Sequence, residues 1–178
     1  MAEGYLFDNN IISILVQPAD PRYKVIRSKF DAAKGSPIFL PVIAIAEIEF
    51  GLDLGGGNEA QTKALRNFFS EYPHHLPVDD HTIEPYALIR GQIWRQHATP
   101  KKSRRGFDEK LPEQLTDRAT GQSLGIDERD LLIASVAAQY RLILATNDSG
   151  GGMKLIDQAA KKLEQNGKPI HLRIEYWG

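Results

Sequence analysis

The sequence predicts an α/β protein, a three-layer sandwich with helices on both sides of a mostly parallel central sheet. Short apolar runs, of the length of buried strands, alternate along the chain with longer segments whose apolar residues recur at helical spacing. The chain has 178 residues, of which 42% are hydrophobic and 25% are charged, so it is long enough to build its own core. We therefore expect residues 1–178 to form a single domain.

The first half of the chain alternates strands and helices. Strands are predicted at 5–7, at 38–40 and within 74–78. Helices are predicted to begin near Asn10, to cover 23–33, 42–52 and 81–94, and to lie between Asn58 and Pro73. The helix over 42–52 is apolar almost all round except for Glu47 and Glu49, so we expect it to be buried and to end near the glycines at 55–57.

The second half of the chain begins with an insertion. Residues 98–123 are poor in apolar side chains and contain prolines, glycines and a basic run, which predicts a loop. Asp127 is predicted to cap a helix over 128–140. The elements predicted after it are a buried strand at 142–145, a helix over 153–165 and a final strand at 170–174.

Charge and cysteine content exclude several classes of protein. Lysine and arginine number 22 against 23 aspartates and glutamates, so a nucleic-acid partner would have to meet a local basic patch rather than a polybasic surface. The absence of cysteine excludes a disulfide framework, a thiolate metal site and a cysteine nucleophile. With no signal-like or membrane-spanning stretch in the sequence, we expect a cytoplasmic protein without membrane contact.

Four acidic residues are placed where a cluster could form. Asp8 follows the first strand and Asp148 follows the strand at 142–145, and the carboxyl ends of neighbouring parallel strands meet at one edge of a sheet. Glu47 and Asp130 lie in the two most apolar helices, where an unpaired carboxylate is costly to bury. A shared cation would explain all four. Hard oxygen ligands without cysteine predict Mg²⁺, with Mn²⁺ as the alternative, and hydrolysis of a phosphodiester.

Each acid taken alone also has a structural explanation. Asp8 could cap the first helix, Asp148 could belong to a turn, and Asp130 could complete a capping box. Glu47 is harder to explain in this way because apolar residues surround it. Glu49 lies about 200° further round the same helix, so only one of the two can face the site, and we choose Glu47. The prediction rests on the four acids together.

A family resemblance is carried by four segments: YLFDNNIIS at 5–13, IAEIEFG at 45–51, DLLIA at 130–134 and ATND at 145–148. Together they resemble the PIN-domain family, and within it the VapC-type toxins of bacterial toxin–antitoxin pairs. The resemblance implies a PIN-like sandwich, a Mg²⁺-dependent endoribonuclease with RNA as its substrate, a homodimer, and a VapB-like antitoxin whose C-terminal segment blocks the acidic groove. It assigns the metal site and catalysis to Asp8, Glu47, Asp130 and Asp148, supported by Asn10 and Thr146.

The sequence departs from the family pattern at three places. Asn9 stands where the family usually has threonine or serine, and Ser149–Gly152 replaces the more usual approach to an aromatic residue. The third departure is the insertion at 98–123, whose basic residues are Lys101, Lys102, Arg104 and Arg105. These four would form a solvated loop, bind RNA phosphates or contact an acidic antitoxin.

Two other functions compete with the nuclease. A non-catalytic PIN-like module that binds RNA or protein would use the same acids as helix caps and for solubility. A phosphotransfer pocket of the receiver-domain type would need an acidic pair before the first helix and a strand-end lysine, and the sequence has neither.

Overall fold

The computed structural model describes residues 3–55, 58–102 and 105–178, and its centre is a parallel sheet of five strands. The strands are β1 Tyr5–Phe7, β2 Ile38–Pro41, β3 His75–Leu76, β4 Ile143–Thr146 and β5 Arg173–Tyr176, in the spatial order β3-β2-β1-β4-β5. All neighbouring pairs run parallel, and helices cover the sheet on both sides. The predicted fold class is therefore confirmed.

Seven α-helices connect the strands within the described ranges. They are α1 Asn9–Leu15, α2 Tyr23–Ala32, α3 Val42–Gly55, α4 Glu59–Glu71, α5 Ile83–His97, α6 Glu128–Tyr140 and α7 Gly151–Gln165. Short 3₁₀ turns lie at Asp80–Thr82 and Pro112–Gln114. None of these helices is long and apolar enough to cross a membrane. Glycines 56 and 57, part of the predicted end of the third helix, lie outside the described residues.

Most of the predicted elements are present, with shifted ends. The last strand was predicted at 170–174 but pairs with β4 only from Arg173 to Tyr176. Residues before it form a turn, in which the Ile170 amide donates to the Lys168 carbonyl at 2.8 Å. Ile170 and Leu172 are buried although they lie outside the strand, so their alternating pattern reflects packing of this lead-in rather than pairing in the sheet.

The centre of the sheet is β1, which pairs with β2 on one side and β4 on the other. Leu6 lies opposite Leu144 and Phe7 opposite Ala145, and all four side chains are fully buried. The ring of Trp177, which follows β5, packs edge-on against Phe7 with centroids 5.3 Å apart. This register fixes the residues that follow β1 and β4 at the same edge of the sheet.

The prediction that the third helix is buried was wrong. In α3 only Ala44 and Ile48 are buried, while Phe50 is 63% exposed and Leu54 is 70% exposed. One face of the helix packs against the rest of the chain, and the described residues leave the other face uncovered. The exposed face borders an open groove of about 370 Å³ between α1, α3 and α4.

In the described residues of the segment 98–123, the chain is irregular apart from the 3₁₀ turn at Pro112–Gln114, and it is held in place at several points. Residues 100 and 107, and residues 116 and 123, form isolated antiparallel bridges. From α5, Arg90 donates to the Lys110 carbonyl at 2.6 Å and Trp94 donates to the Glu109 carbonyl at 3.3 Å. Leu115 is fully buried in the core. The insertion is thus built onto α5 and returns the chain to the start of α6.

Gly152, in the first turn of α7, allows the backbone that follows the insertion, at Gly125 and Ile126, to approach this helix closely. A side-chain carbon on Gly152 would lie 2.0 Å from the carbonyl oxygen of Gly125 and 3.1 Å from Cα of Ile126. Both neighbours are backbone atoms, so neither can rotate away. The glycine at 152 therefore has a steric reason, which is that the returning chain crosses the beginning of α7 there.

We expect Gly152→Ala to destabilise the protein by about 1–3 kcal/mol, because the added methyl group must push two backbone segments apart. Gly51→Ala is the matched control, since Gly51 also lies in a helix and has nothing within 4 Å of an added carbon. There alanine should stabilise by about 0.5–1 kcal/mol. Urea unfolding of both variants gives the comparison, and equal effects would contradict the close approach at Gly152.

Candidate active site

The candidate site lies at the edge of the sheet where β1 and β4 end. Asp8 follows β1 directly, and its amide donates to the Ala145 carbonyl of β4 at 3.1 Å. Asp148 comes two residues after the end of β4. Asp130 lies in the first turn of α6 and Glu47 in α3, so the four predicted acids come from four different parts of the chain.

Asp8 is the most buried of the four acids, with 1% of its surface exposed. It caps α1, because its Oδ1 accepts the Asn9 amide at 2.7 Å. Its Oδ2 accepts the Thr146 hydroxyl at 2.8 Å and the side-chain amide of Asn10 at 3.4 Å. The capping explanation and the site explanation both fit this residue, since the cap leaves the carboxylate facing the end of β4.

Thr146 connects two of the acids. It is completely buried, donates its hydroxyl to Asp8 and accepts the Asp148 amide on the same oxygen at 3.0 Å. One oxygen of Asp148 then accepts the Gly150 amide at 2.7 Å, in the turn that leads into α7. The two residues assigned as supports, Asn10 and Thr146, therefore both contact Asp8.

Asp130 does not form the capping box that its spacing suggests. Asp127 caps α6 with its own side chain, which accepts the Arg129 amide at 2.7 Å. The Asp130 carboxylate takes part in none of the hydrogen bonds or ion pairs found between described residues. It lies in a half-buried position beside the acids at the strand ends, without a donor of its own.

Electrostatic effects between the four acids show that they share one region of the structure. Burial raises the pKa of Asp8 to about 6, with a further rise from the charges of Asp148 and Glu47. Burial also raises the pKa of Asp130 to about 7, and the charges of Asp8 and Asp148 add to the rise. The positive charge of Arg129 offsets only part of this repulsion, and a bound cation would offset more of it.

Glu47 differs from the other acids because it has a cationic partner. Its Oε1 pairs with the guanidinium of Arg129, and its Oε2 accepts the side-chain amide of Asn9 at 2.7 Å. Glu49 points elsewhere and pairs with Arg66 of α4 at 2.9 Å, as the helical spacing predicts. Sequence reasoning missed Arg129 entirely and treated Asn9 only as a departure from the family pattern.

The donor set suits a hard cation, but the side chains are not gathered around one point. Across the described ranges, no three or more histidine, cysteine, aspartate or glutamate side chains lie close enough together to hold a metal ion. Three of the four acids are engaged by protein donors: Asp8 by amides and a hydroxyl, Asp148 by the Gly150 amide, and Glu47 by Arg129 and Asn9. The residues therefore fit Mg²⁺ or Mn²⁺ in their chemistry, and binding an ion requires side chains to move.

The described basic residues of the insertion form no ion pair with the four acids. Lys102 and Arg105 are exposed and Lys101 is half-buried, and no ion pair in the described part of the chain joins them to the four acids. Arg104 lies outside the described residues. Their role in binding RNA stays a prediction.

We expect Asp130→Asn to stabilise the metal-free protein at high pH. The pKa of Asp130 is about 7 in the folded protein and has its ordinary value of 3.8 in the unfolded chain. Below pH 4 the carboxyl is protonated in both states and does not destabilise the fold. As the pH rises through 7 the buried carboxyl loses its proton, and the free energy of unfolding falls. Asparagine carries no charge, so at pH 8 the variant should gain about 1–3 kcal/mol after allowance for partial exposure. Near pH 4 the two proteins should unfold alike.

Urea unfolding in EDTA at pH 4, 6 and 8 measures this difference. Asp53→Asn, an exposed carboxylate of α3, is the control, and its difference from the parent should stay constant across the three pH values. An Asp130→Asn protein that is no more stable than the parent at pH 8 would contradict the repulsion between the acids.

Comparison with solved structures identifies proteins of the same fold, although no protein-family model and no curated protein matches the sequence. A chain of VapBC2 from Rickettsia felis, bound to a DNA fragment from their promoter, has a TM-score of 0.59 at 18% identity over 98% of each chain. FitAcB from Neisseria gonorrhoeae has a TM-score of 0.58 at 21% identity, covering 86% of this chain and 93% of the other. VapBC-1 from nontypeable Haemophilus influenzae has a TM-score of 0.59 at 18% identity over 97% of each. These likenesses confirm that the chain shares the fold of these solved structures, as the family resemblance predicts.

Proposed function

We propose that the protein is a metal-dependent endoribonuclease that acts as the toxin of a VapBC-type toxin–antitoxin pair. The observation that carries the proposal is the group of carboxylates at the ends of β1 and β4, where the pKa values of Asp8 and Asp130 are raised by burial and by neighbouring negative charge. Such a cluster is costly to the fold, and a cation that stabilises it would offset that cost. The structural likeness to VapBC and FitAcB supports the same proposal.

In this proposal Asp8, Glu47, Asp130 and Asp148 would hold Mg²⁺ or Mn²⁺, which when bound supplies an activated water and offsets the charge that develops on the phosphodiester. Thr146 holds one oxygen of Asp8 and the backbone of Asp148, so it sets the relative position of these two acids. Asn10 adds a weaker donor to Asp8. No side chain of the protein has to act as the nucleophile.

The partner in this proposal is a VapB-like antitoxin. The groove between α1, α3 and α4 reaches Glu47, and the exposed face of α3 beside it carries Phe50 and Leu54. Large apolar side chains at that level of exposure are typical of surfaces that another protein covers. A homodimer, which the family resemblance also implies, stays a prediction.

A non-catalytic binding module is the second candidate function. The observation in its favour is that the acids of the described chain are not gathered into a metal-binding group and that Arg129 neutralises Glu47. In this alternative the acids would remain helix caps and hydrogen-bond acceptors, and RNA or a partner would bind without being cut. Cleavage experiments separate the two functions.

We expect Glu47→Gln to lower RNA cleavage by at least about 100-fold, because a neutral amide is a poor ligand for Mg²⁺. Glu49→Gln, two positions along α3 and paired with Arg66, should cleave like the parent. The assay uses total RNA with purified protein free of copurified antitoxin, in Mg²⁺ and in EDTA. Discrete cuts that need Mg²⁺, persist in Glu49→Gln and disappear in Glu47→Gln would support the nuclease.

The same assay includes Asp8→Asn, which removes the most buried charge of the cluster. Each variant is first checked for a parent-like unfolding midpoint. If the folded parent makes no cut with Mg²⁺ or Mn²⁺, the binding-module alternative replaces the nuclease. If Asp8→Asn and Glu47→Gln both keep full activity at limiting Mg²⁺, the assignment of these acids is wrong.

We expect replacement of Lys101, Lys102, Arg104 and Arg105 by alanine to weaken RNA binding and to reduce its salt dependence. If all four contact phosphates of single-stranded RNA, the slope of log affinity against log salt should fall by up to about 3. Binding is measured with the inactive Asp8→Asn background from 50 to 300 mM KCl. An unchanged slope would reject the RNA role, and weaker binding to the antitoxin alone would assign the run to that partner.

A further inference from the structure

Arg129 is the one basic side chain that contacts the predicted metal ligands within the part of the chain that the structure describes. Its Nη1 pairs with Oε1 of Glu47 in α3. The other recorded ion pairs of the described residues lie outside the four acids. A single positive charge thus sits at the place where a cation is expected.

The other end of the guanidinium is held by Asp127. Nε of Arg129 donates to Oδ1 of Asp127 at 2.8 Å, Nη2 pairs with Oδ2, and the backbone amide of Arg129 donates to the same carboxylate at 2.7 Å. Asp127 is in turn the N-cap of α6, so this half of the pairing is fixed to the start of the helix. The fork of one arginine therefore spans from α6 to α3.

The two halves of the fork differ in how firmly they are held. Asp127 makes a bidentate contact, the geometry that suits guanidinium and carboxylate best, whereas Glu47 receives a single nitrogen. The Arg129 side chain is 57% exposed, so water can solvate its Nη1 once that contact is broken. The contact to Glu47 is the one that can be released at low cost.

Glu47 cannot serve two cations in the arrangement that the structure shows. One oxygen is paired with Arg129 and the other accepts Asn9 at 2.7 Å, so neither oxygen is free of a donor. The charge of the Arg129 guanidinium acts on Asp130 and would repel a divalent ion bound beside that carboxylate. Metal binding through Glu47 therefore competes with the ion pair.

We propose that Arg129 is an internal counter-ion of the acidic site, which occupies Glu47 in the metal-free protein and is displaced from it when a divalent cation binds. Asp127 keeps the guanidinium at the start of α6 after its release. This inference rests on the proposed function, because it assumes that Glu47 is a metal ligand. It accounts for the position of the Glu47 carboxylate, which the ion pair holds at Arg129.

The test measures Mn²⁺ binding to the full chain by isothermal titration calorimetry, without RNA. Arg129→Gln should bind Mn²⁺ about three- to tenfold more tightly than the parent, because the ion no longer competes with the ion pair. Arg66→Gln is the matched control, since it removes the same kind of pair from Glu49 of the same helix and should leave the affinity unchanged. Arg129→Lys keeps a competing charge and should stay close to the parent. Parent-like or weaker binding by Arg129→Gln would overturn the proposal.

A second measurement uses the unmodified sequence. The Nε–H NMR signal of Arg129 should shift on addition of Mg²⁺ while that of Arg66 stays in place. An unmoved Arg129 signal at saturating Mg²⁺ would overturn the proposal even if a variant failed to fold.

Mn²⁺ binding by Asp130→Asn distinguishes failure of the counter-ion proposal from failure of the proposed nuclease. If the parent binds Mn²⁺ and loses it in Asp130→Asn, but Arg129→Gln changes nothing, only the counter-ion proposal fails. If neither parent nor variants bind Mn²⁺, both the counter-ion and the proposed nuclease fail.

Discussion

The pairing of β1 with β4 is the constraint on which the candidate site depends. The register that sets Phe7 opposite Ala145 brings Asp8 within hydrogen-bonding distance of Thr146, although 138 positions separate them in the sequence. Leu6, Phe7, Leu144 and Ala145 are fully buried, so a shift of the register would disrupt the packing of these side chains against the helices. The pairing of β1 with β4 thus determines both the packing of the core and the position of Asp8.

Hydrogen bonds to Asp8 and apolar packing of the neighbouring helices offset the repulsion between the four acids. Thr146, Asn10 and the first amide of α1 stabilise the charge on Asp8, yet burial still raises its pKa. Asp130 has no such donors, and its pKa rises further. The two helices that carry Asp130 and Glu47 gain their positions from apolar packing, so the hydrophobic core offsets an electrostatic cost at its edge. A site of this kind is typical of function rather than of stability.

Periodicity and composition were sufficient to predict the parallel sheet and most of the helices, and to place Asp8 and Asp148 at the ends of strands, because strand ends and helix faces are local properties of the sequence. Two features depended on contacts that local patterns do not encode. Arg129 meets Glu47 across 82 positions, so its pairing follows from the approach of α6 to α3. The apolar composition of α3 predicted a buried helix, which was wrong for this chain, because composition does not indicate whether another element covers each face, and Phe50 and Leu54 are exposed.

The insertion at 98–123 and the glycines that begin α7 pack against each other beside the candidate site. The chain leaves α5, is held there by Arg90 and Trp94, and returns past the beginning of α7 through a gap that only a glycine at 152 leaves open. On its way it touches α6 as well, because the Glu128 amide donates to Glu113 at 2.9 Å. The same segment therefore contacts the starts of the two helices that flank Asp130 and Asp148. Changes in the insertion would reach the acids through backbone contacts, which links the most unusual part of this sequence to the part that it shares with VapC-like folds.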